Sequence, residues 1–315
     1  MSVEFGICLE FGACNLEFLI VILGPTASGK TELAIELAEW LGTEIISADS
    51  RQFYREMKIG TARPDKDQMA RVKHHFAGHV SVLEPYNIAR YEREVLDLLS
   101  DLYQKHRIVI LTGGSGLYID AVCRGIDVMP EQDPLIRKDL EAIYRKSGIG
   151  YLQLELLKLD PDYYRETDLN NPARLIRALE VCRITGKPYS SFRKNKPRPR
   201  NFQCLKIGLN LPRQDLVERI NRRVDTMMEA GLLDEVQALL PLQHLNTLNT
   251  VGYRELFDYL DGHGTLDEAV ERIKINTRRY AKRQMTWFRK NASMKWFHPV
   301  QWEQIRDYIT ISCGL

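Results

Sequence analysis

The sequence predicts an α/β fold: a core built on a parallel sheet, interrupted by a helical insertion domain. Three observations predict it. Two largely apolar runs, Phe18 to Leu23 and Arg107 to Thr112, are typical of buried strands in a parallel sheet. A helix-forming segment follows each run, so that strand and helix alternate along the chain. Between 128 and 200 the helical patterns continue without a convincing buried strand.

The chain divides into four parts in this interpretation. Residues 1–18 form an N-terminal extension outside the fold, and they lack the basic start and uninterrupted apolar stretch of a secretory signal. Residues 19–127 carry the first part of the core, and 128–200 form the helical insertion. Residues 201–315 return to the core with one more strand, at Leu205 to Leu209, and then continue as helices.

The remaining elements follow from apolar spacing and from helix start and stop signals. Glu44 to Asp49 is a short apolar strand that ends in an acid. Tyr91 to Tyr103 has helical spacing, with its apolar residues on one face. Asn171 and Pro172 start a helix that runs to Thr185. Further helices are predicted at 216–228, 232–240, 253–260 and 266–290.

Composition narrows the class of protein. Of the 315 residues, 27% are charged and 44% are hydrophobic, and the formal net charge is only +2. Affinity for a nucleic acid must therefore come from local clusters of basic residues. The cysteines are scattered without a C-x-x-C pair, which favours reduced thiols in the cytoplasm over a metal or disulfide framework. The longest uncharged apolar run is far too short to span a bilayer, so we expect no membrane association.

The most informative motif directly follows the first apolar run. It matches G-x-x-x-x-G-K-[ST] in full, with a strand before it and a helix-forming segment after it. Its backbone N–H groups can converge on phosphate oxygens, and the helix presents its positive end to the same anion. Lys30 would reach the terminal phosphate and the Thr31 hydroxyl would bind Mg²⁺, so the site takes at least two linked phosphates. We call this segment the phosphate loop; it consists of Gly24, Pro25, Thr26, Ala27, Ser28, Gly29, Lys30 and Thr31.

Two polar residues follow other predicted strands of the core. The carboxyl ends of strands line the ligand crevice of an open parallel sheet, so Asp49 should face the phosphate loop. Three roles are open for it: an indirect Mg²⁺ ligand, a general base toward an acceptor, or a helix cap. Ser115 lies where phosphate-transferring enzymes of this kind usually carry an acid. Its hydroxyl could bond a bridging or leaving oxygen, or simply occupy a turn.

Basic residues concentrate in two runs that contain no acid, Ser190 to Arg200 and Arg272 to Lys290. The first is expected to be a mobile basic connector. Two such runs in a chain of near-neutral total charge suit a polyanion larger than the phosphate loop alone can hold. Most aromatic residues of the second run have helical spacing and are expected to lie in the core instead of stacking on bases.

Taken together, these segments resemble the bacterial tRNA dimethylallyltransferases, also called tRNA isopentenyltransferases. The phosphate loop alone would not be specific, but the matching segments follow one another in order over most of the chain. They are GPTASGKT at Gly24, SADSRQFYREMKIGTARP at Ser47, HHF at His74, GGSGLY at Gly113, DPLIR at Asp133, NNPARLIRALEV at Asn170, VGYREL at Val251 and YAKRQMTWFRK at Tyr280. The resemblance implies a P-loop NTPase-like parallel sheet core.

The resemblance also implies a reaction. Family members transfer a dimethylallyl group from dimethylallyl diphosphate to N6 of adenosine 37, in tRNAs that read codons beginning with U. The implied catalytic residues are Asp49 as general base, Ser115 at the position of a Ser/Thr that bonds the leaving oxygen, and Arg137 on the tRNA near the site. Arg222 or Arg223, which the sequence does not separate, would support the diphosphate.

The same match implies the partners: dimethylallyl diphosphate, Mg²⁺ at Thr31, and the anticodon stem-loop of a tRNA, bound by a cytoplasmic monomer. The tRNA-binding residues that it implies are Asp49, Ser50, Arg51, Gln52, Ala173, Arg174, Leu175, Ile176, Arg177, Asn249, Thr250, Val251, Gly252, Tyr253 and Arg254.

Two other functions are weighed against the prenyl transfer. A small-molecule kinase would also use the phosphate loop and Asp49, but the missing strand-end acid and the large basic surface argue against it. An RNA-binding protein whose nucleotide site only gates its affinity would use the same loop and the basic runs without making a product.

Overall fold

The computed structural model describes residues 16–194 and 196–315. Most of the predicted N-terminal extension, residues 1–18, lies outside the described residues. Its last two residues belong to the fold, because the first strand begins at Glu17. The six strands of the described ranges are β1 (Glu17–Leu23), β2 (Ile45–Ser47), β3 (His74–His75), β4 (Ile108–Gly113), β5 (Phe202–Leu209) and β6 (Lys295–Phe297).

Helices connect and follow these strands. They are α1 (Lys30–Leu41), α2 (Lys66–Arg71), α3 (Ile88–Leu102), α4 (Gly116–Arg124), α5 (Pro134–Leu159), α6 (Pro161–Glu166), α7 (Pro172–Thr185), α8 (Arg213–Glu229), α9 (Leu232–Ala238), α10 (Tyr253–Leu260), α11 (Leu266–Phe288) and α12 (Trp302–Cys313). None of the helices in the described ranges is long and apolar enough to cross a membrane.

The strands form one parallel sheet in the order β3-β2-β4-β1-β5-β6, which confirms the predicted fold class. Leu23 at the end of β1 pairs with Gly113 at the end of β4, and Ser47 at the end of β2 pairs with Thr112. The three strands therefore end level with one another. As a result, the phosphate loop and the segments that carry Asp49 and Ser115 leave the sheet at one edge.

Both faces of the sheet are buried. In β1, Leu19, Val21 and Leu23 pack into one cluster with residues of α3, α4, α8, α10 and α11. The alternate residues Phe18 and Ile20 pack on the other face with residues of α1 and α12. Since successive strand residues point to opposite faces, a strand covered on both sides must be apolar throughout. This accounts for the uninterrupted apolar run in the sequence.

By its contacts, Arg124–Pro199 is a compact unit separate from the sheet-containing unit, and it begins four positions before the boundary predicted at 128. Its core includes Leu140, Leu152, Leu175 and Leu179, from α5 and α7. The start of the predicted mobile connector is fixed within this unit. The buried carboxylate of Asp160 accepts hydrogen bonds from the Ser190 N–H at 2.6 Å and the Ser190 hydroxyl at 2.8 Å.

Arg200, the last residue of the predicted basic connector, belongs instead to the sheet-containing unit. Its side chain is 10% exposed and donates to the Glu92 carboxylate at 2.6 Å. It also donates to the carbonyls of Ala121 and Val122 at 2.6 and 2.8 Å. The prediction of a mobile basic connector is therefore wrong at Arg200, because its buried side chain is bound to residues of α3 and α4.

Candidate active site

A cavity of about 310 Å³ opens beside the ends of β1, β2 and β4. It is lined by the phosphate loop, by the segment after β2, by residues 60–62, 64 and 250–252, and by one face each of α8 and α11. The cavity therefore brings together the predicted phosphate loop and Asp49. The lining residues discussed below are Thr26, Lys30, Thr31, Asp49, Gln52, Arg223, Met227, Thr250, Val251, Gly252, Tyr280 and Gln284.

The phosphate loop leads into the N-terminus of α1, where Gly29 adopts a φ of 93° and no described side chain caps the helix. The Lys30 ammonium donates to the Pro25 carbonyl at 2.8 Å. Burial, followed by the charge of Arg223, lowers the pKa of Lys30 to about 7 against the opposing charge of Asp49. An anion in the loop would meet the helix N-terminus and would keep the lysine protonated.

The structure shows which of the two candidate arginines, Arg222 or Arg223, faces the phosphate loop. Arg223 lines the cavity, and its guanidinium donates to the Thr26 hydroxyl at 3.2 Å. Burial lowers the pKa of Arg223 while the charge of Asp49 raises it. Arg222 is exposed and is not among the cavity residues. Neighbouring helix positions point in different directions, so Arg223 is the one that faces the phosphate loop.

Asp49 lies two residues beyond the end of β2 and lines the cavity. Its carboxylate accepts the Arg51 N–H at 3.1 Å, and its carbonyl accepts the Gln52 N–H at 3.1 Å. It therefore caps a turn, because no helix directly follows it in the described residues, as the helix-cap role would require, and it also faces the cavity. A side chain at Gly113 would lie 2.3 Å from the carbonyl of Ala48, so a glycine there lets the ends of β2 and β4 approach this closely.

Ser115 supports the segment that carries Asp49. Its hydroxyl accepts the Ser50 N–H at 2.9 Å and lies 3.0 Å from the Ser50 hydroxyl, while its own N–H donates to Ala48. It is not among the residues that line the cavity. In this structure Ser115 holds the turn after β2, and a contact with a leaving oxygen would require its hydroxyl to exchange partners.

The oxygen atoms that line the cavity could act as ligands for a magnesium ion that also binds a diphosphate. The Thr31 hydroxyl and the Asp49 carboxylate both line it, and Mg²⁺ prefers oxygen ligands and retains several waters. Within the described ranges, no group of three or more His, Cys, Asp or Glu side chains could hold a metal by itself. The residues present therefore suit an ion held partly by substrate oxygens and not an all-protein site.

The segment 58–62, of which residues 60–62 line the cavity, is held by hydrogen bonds from two sides. The Glu235 carboxylate accepts the backbone N–H groups of Lys58, Ile59 and Gly60 at 2.7–3.0 Å and the Tyr253 hydroxyl at 2.6 Å. On the other side, the amide of Gln52 donates to the carbonyls of residues 61 and 62. One carboxylate thus joins two segments of the cavity wall that are distant in sequence.

Replacing Glu235 by alanine should lower the free energy of unfolding by about 1–3 kcal/mol, because several donors lose their acceptor together. Urea denaturation followed by circular dichroism measures this change. Glu229→Ala, at an exposed position on α8, is the matched control and should change stability by less than about 0.5 kcal/mol. Equal effects of the two variants would show that the Glu235 contacts contribute nothing.

The residues matched to tRNA binding are distributed unevenly. In 249–254, Thr250, Val251 and Gly252 line the cavity, Asn249 is exposed, and Tyr253 is buried beneath them. Arg254 is half-exposed and contacts Glu255. Arg51 is fixed at the cavity by donating to the Thr247 carbonyl at 2.6 Å.

In the 124–199 unit, Ala173 and Arg174 are exposed at the start of α7. Leu175 and Ile176 are buried in the core of that unit, so their side chains are unavailable to an RNA. Arg177 is bound to Glu180 at 2.8 Å and to the Pro130 carbonyl at 2.7 Å. Arg137 contacts Glu141 at 3.2 Å.

The sequence did not single out the contribution of α11 to the cavity. On α11, Ile273, Thr277, Tyr280 and Gln284 recur at helical spacing and line the cavity, as Met227 of α8 also does. Tyr280 is therefore a cavity residue as well as a packed one, and burial and the charge of Asp49 raise its pKa. The spacing was visible in the sequence, but it did not reveal which face of the helix meets the cavity.

Comparison with protein families gives a match over residues 52–291 to the family described as IPP transferase. Two relatives are tRNA dimethylallyltransferases from Bacteroides species. The one from Bacteroides thetaiotaomicron is 52% identical over 293 residues, covering 93% of this chain and 95% of the relative. The one from Bacteroides fragilis is 50% identical over 294 residues, covering 93% of this chain and 98% of the relative.

Solved structures show the same similarity. A tRNA isopentenylpyrophosphate transferase from Bacillus halodurans superposes with a TM-score of 0.70 at 37% identity, covering 95% of this chain and 97% of that one. A eukaryotic dimethylallyltransferase, whose crystal structures capture it acting on tRNA, superposes with a TM-score of 0.76 at 27% identity, covering 94% of this chain and 78% of that one.

Proposed function

The chain belongs to the IPP transferase family, and on that premise we propose that it transfers a dimethylallyl group from dimethylallyl diphosphate to a tRNA. One observation carries the proposal. The cavity brings the phosphate loop together with Asp49, while β4 ends at Gly113 and is followed by Gly114 and Ser115, where a kinase of this fold would carry an acid. This arrangement suits a diphosphate that leaves and not a phosphoryl group that is transferred.

The reaction follows from these positions. The adenine N6 attacks C1 of the dimethylallyl group, the C1–O bond breaks, and its electron pair leaves with the diphosphate. Lys30, Arg223 and the N–H groups at the start of α1 surround the place where negative charge develops. The Asp49 carboxylate takes the N6 proton, so that the product is a neutral secondary amine. A bound Mg²⁺ would neutralise further charge on the diphosphate oxygens.

The substrate nucleoside that we propose is adenosine 37 of tRNAs that read codons beginning with U. The protein would bind these tRNAs through the anticodon stem-loop. The nucleoside and the codon class rest on the family resemblance, and the position of the basic residues supports an RNA substrate. Arg279, Lys282 and Arg283 are exposed on α11, the same helix whose other face lines the cavity. A strand of RNA bound there could deliver an unstacked base to Asp49. A tRNA substrate also agrees with action in the cytoplasm.

The purified protein, incubated with Mg²⁺ and radiolabelled dimethylallyl diphosphate, should label a tRNA with a UNA anticodon. The same tRNA carrying guanosine at position 37 should stay unlabelled, because it lacks the N6 amine. Nuclease digestion followed by mass spectrometry identifies the labelled base. A complete lack of label in the adenosine-37 tRNA would contradict the proposal, and steady ATP consumption with a small acceptor would favour the kinase.

A further inference from the structure

The side chain of Gln284 joins two loops of the active site. It is 6% exposed and lies on α11. Its Oε1 accepts the backbone N–H of Thr26 in the phosphate loop at 2.8 Å, and its Nε2 donates to the Gly114 carbonyl at 2.9 Å. One buried amide thus uses its acceptor on the loop after β1 and its donor on the loop after β4.

Both contacts are close and specific. A side chain at Gly114 would lie 2.4 Å from the Gln284 Nε2 and 3.4 Å from the Asp49 carboxylate, so glycine is what lets the amide reach this carbonyl. The Asp49 carboxylate therefore lies beside the Gly114 end of the bridge. At the other end, Thr26 is held a second time, through its hydroxyl, by Arg223. The bridge connects the phosphate loop to the surroundings of the proposed base.

We propose that Gln284 is a positioning residue that fixes the distance between the diphosphate in the phosphate loop and the base Asp49. This inference rests on the proposed function. In-line transfer requires the leaving group, C1 and the attacking N6 to be aligned, yet the residues that hold them lie on separate loops. In addition to the sheet, Gln284 joins those loops directly through its two hydrogen bonds. A displacement of about 1 Å in such a geometry can lower turnover by about 100-fold.

Two substitutions of Gln284 distinguish the contributions of its hydrogen bonds to Thr26 and to Gly114. Gln284→Glu keeps an acceptor for the Thr26 N–H but loses the donor to Gly114, whereas Gln284→Met fills a similar volume and loses both. Thr43→Val is the matched control. It removes a buried hydrogen bond, from the Thr43 hydroxyl to the Ile108 carbonyl at 2.6 Å, at the start of β4, away from the cavity. Thermal unfolding of each variant establishes that it is folded.

Steady-state kinetics with tRNA and dimethylallyl diphosphate should show kcat reduced by about 100-fold in both Gln284 variants, with each KM within about threefold of the wild-type value. Thr43→Val should keep wild-type kinetics despite a lower melting temperature. Unchanged kcat in both Gln284 variants would overturn the inference. So would a loss confined to KM, since that would make Gln284 a simple binding residue.

A second measurement is independent of turnover. Amide hydrogen exchange of the peptide spanning residues 24–31 should accelerate in Gln284→Met, because the Thr26 N–H loses its acceptor, and much less in Gln284→Glu. Inorganic pyrophosphate added to wild-type protein should slow the same exchange. If the wild-type protein transferred no prenyl group, the proposed function would fail while this measurement still tested the bridge. Equal exchange in all the proteins would overturn the bridge alone.

Discussion

Replacing Asp49 by asparagine should lower turnover by about 10²- to 10⁴-fold, the range expected when a general base is removed. Asparagine retains the side-chain oxygen that accepts the Arg51 N–H, so the turn after β2 should remain folded. The substitution therefore distinguishes the proposed base from a cap. Single-turnover kinetics with saturating tRNA measure the effect on the chemical step, and filter binding should show tRNA affinity within a few-fold of wild type.

The matched control is Asp307→Asn. Asp307 is exposed on α12, which packs on the face of the sheet opposite to α11, so this variant loses one negative charge far from the cavity. It should retain wild-type turnover. Wild-type turnover in Asp49→Asn would assign Asp49 to the capping role, and the base would have to be sought among other residues.

Replacing Arg200 by methionine should lower the free energy of unfolding by about 3–5 kcal/mol, because it leaves the Glu92 carboxylate buried without a compensating charge. Glu92 is 8% exposed at its side chain, and the carbonyls of Ala121 and Val122 lose their donor in the same step. Equilibrium unfolding in urea measures the change, provided that the transition remains two-state.

Arg198→Met provides the comparison, since Arg198 is exposed two positions earlier, and it should change stability by less than about 0.5 kcal/mol. Combining Arg200→Met with Glu92→Met removes both charges and should recover part of the loss. A single Arg200 variant as stable as the Arg198 variant would mean that the buried pair contributes no net stability.

The sequence predicted the parts of the fold that carry long or regular patterns. Strands β1 and β4 are largely continuous apolar segments, β5 is mostly apolar at its carboxyl end, and α3 shows clear helical spacing, so hydrophobic pattern identifies them. Strands β3 and β6, with two and three residues, are too short to show any period. They exist because neighbouring strands offer them backbone partners, which is a tertiary effect.

Some residues of the candidate site could likewise be identified from sequence patterns, and others could not. The phosphate loop and Asp49 could be found because each directly follows a predicted strand, and parallel strands end at a common edge. Gln284 could not be found, because it meets Thr26 across 258 positions of sequence. The buried role of Arg200 was hidden too, since the composition of its segment is that of a solvated basic run. Choosing between Arg222 and Arg223 required the orientation of α8.

The order of strands in the sheet has a consequence for the synthesis of the chain. Strand β1, which leads into the phosphate loop, takes one neighbour from residues 108–113 and the other from residues 202–209. A nascent chain must therefore emerge through the whole 124–199 unit before the second edge of β1 is paired. Until then an apolar strand edge stays open to other chains, while the 124–199 unit, with its own core, can fold first. Such distant pairing makes the core slow to complete, and the strand that leads into the phosphate loop depends for one neighbour on residues 202–209.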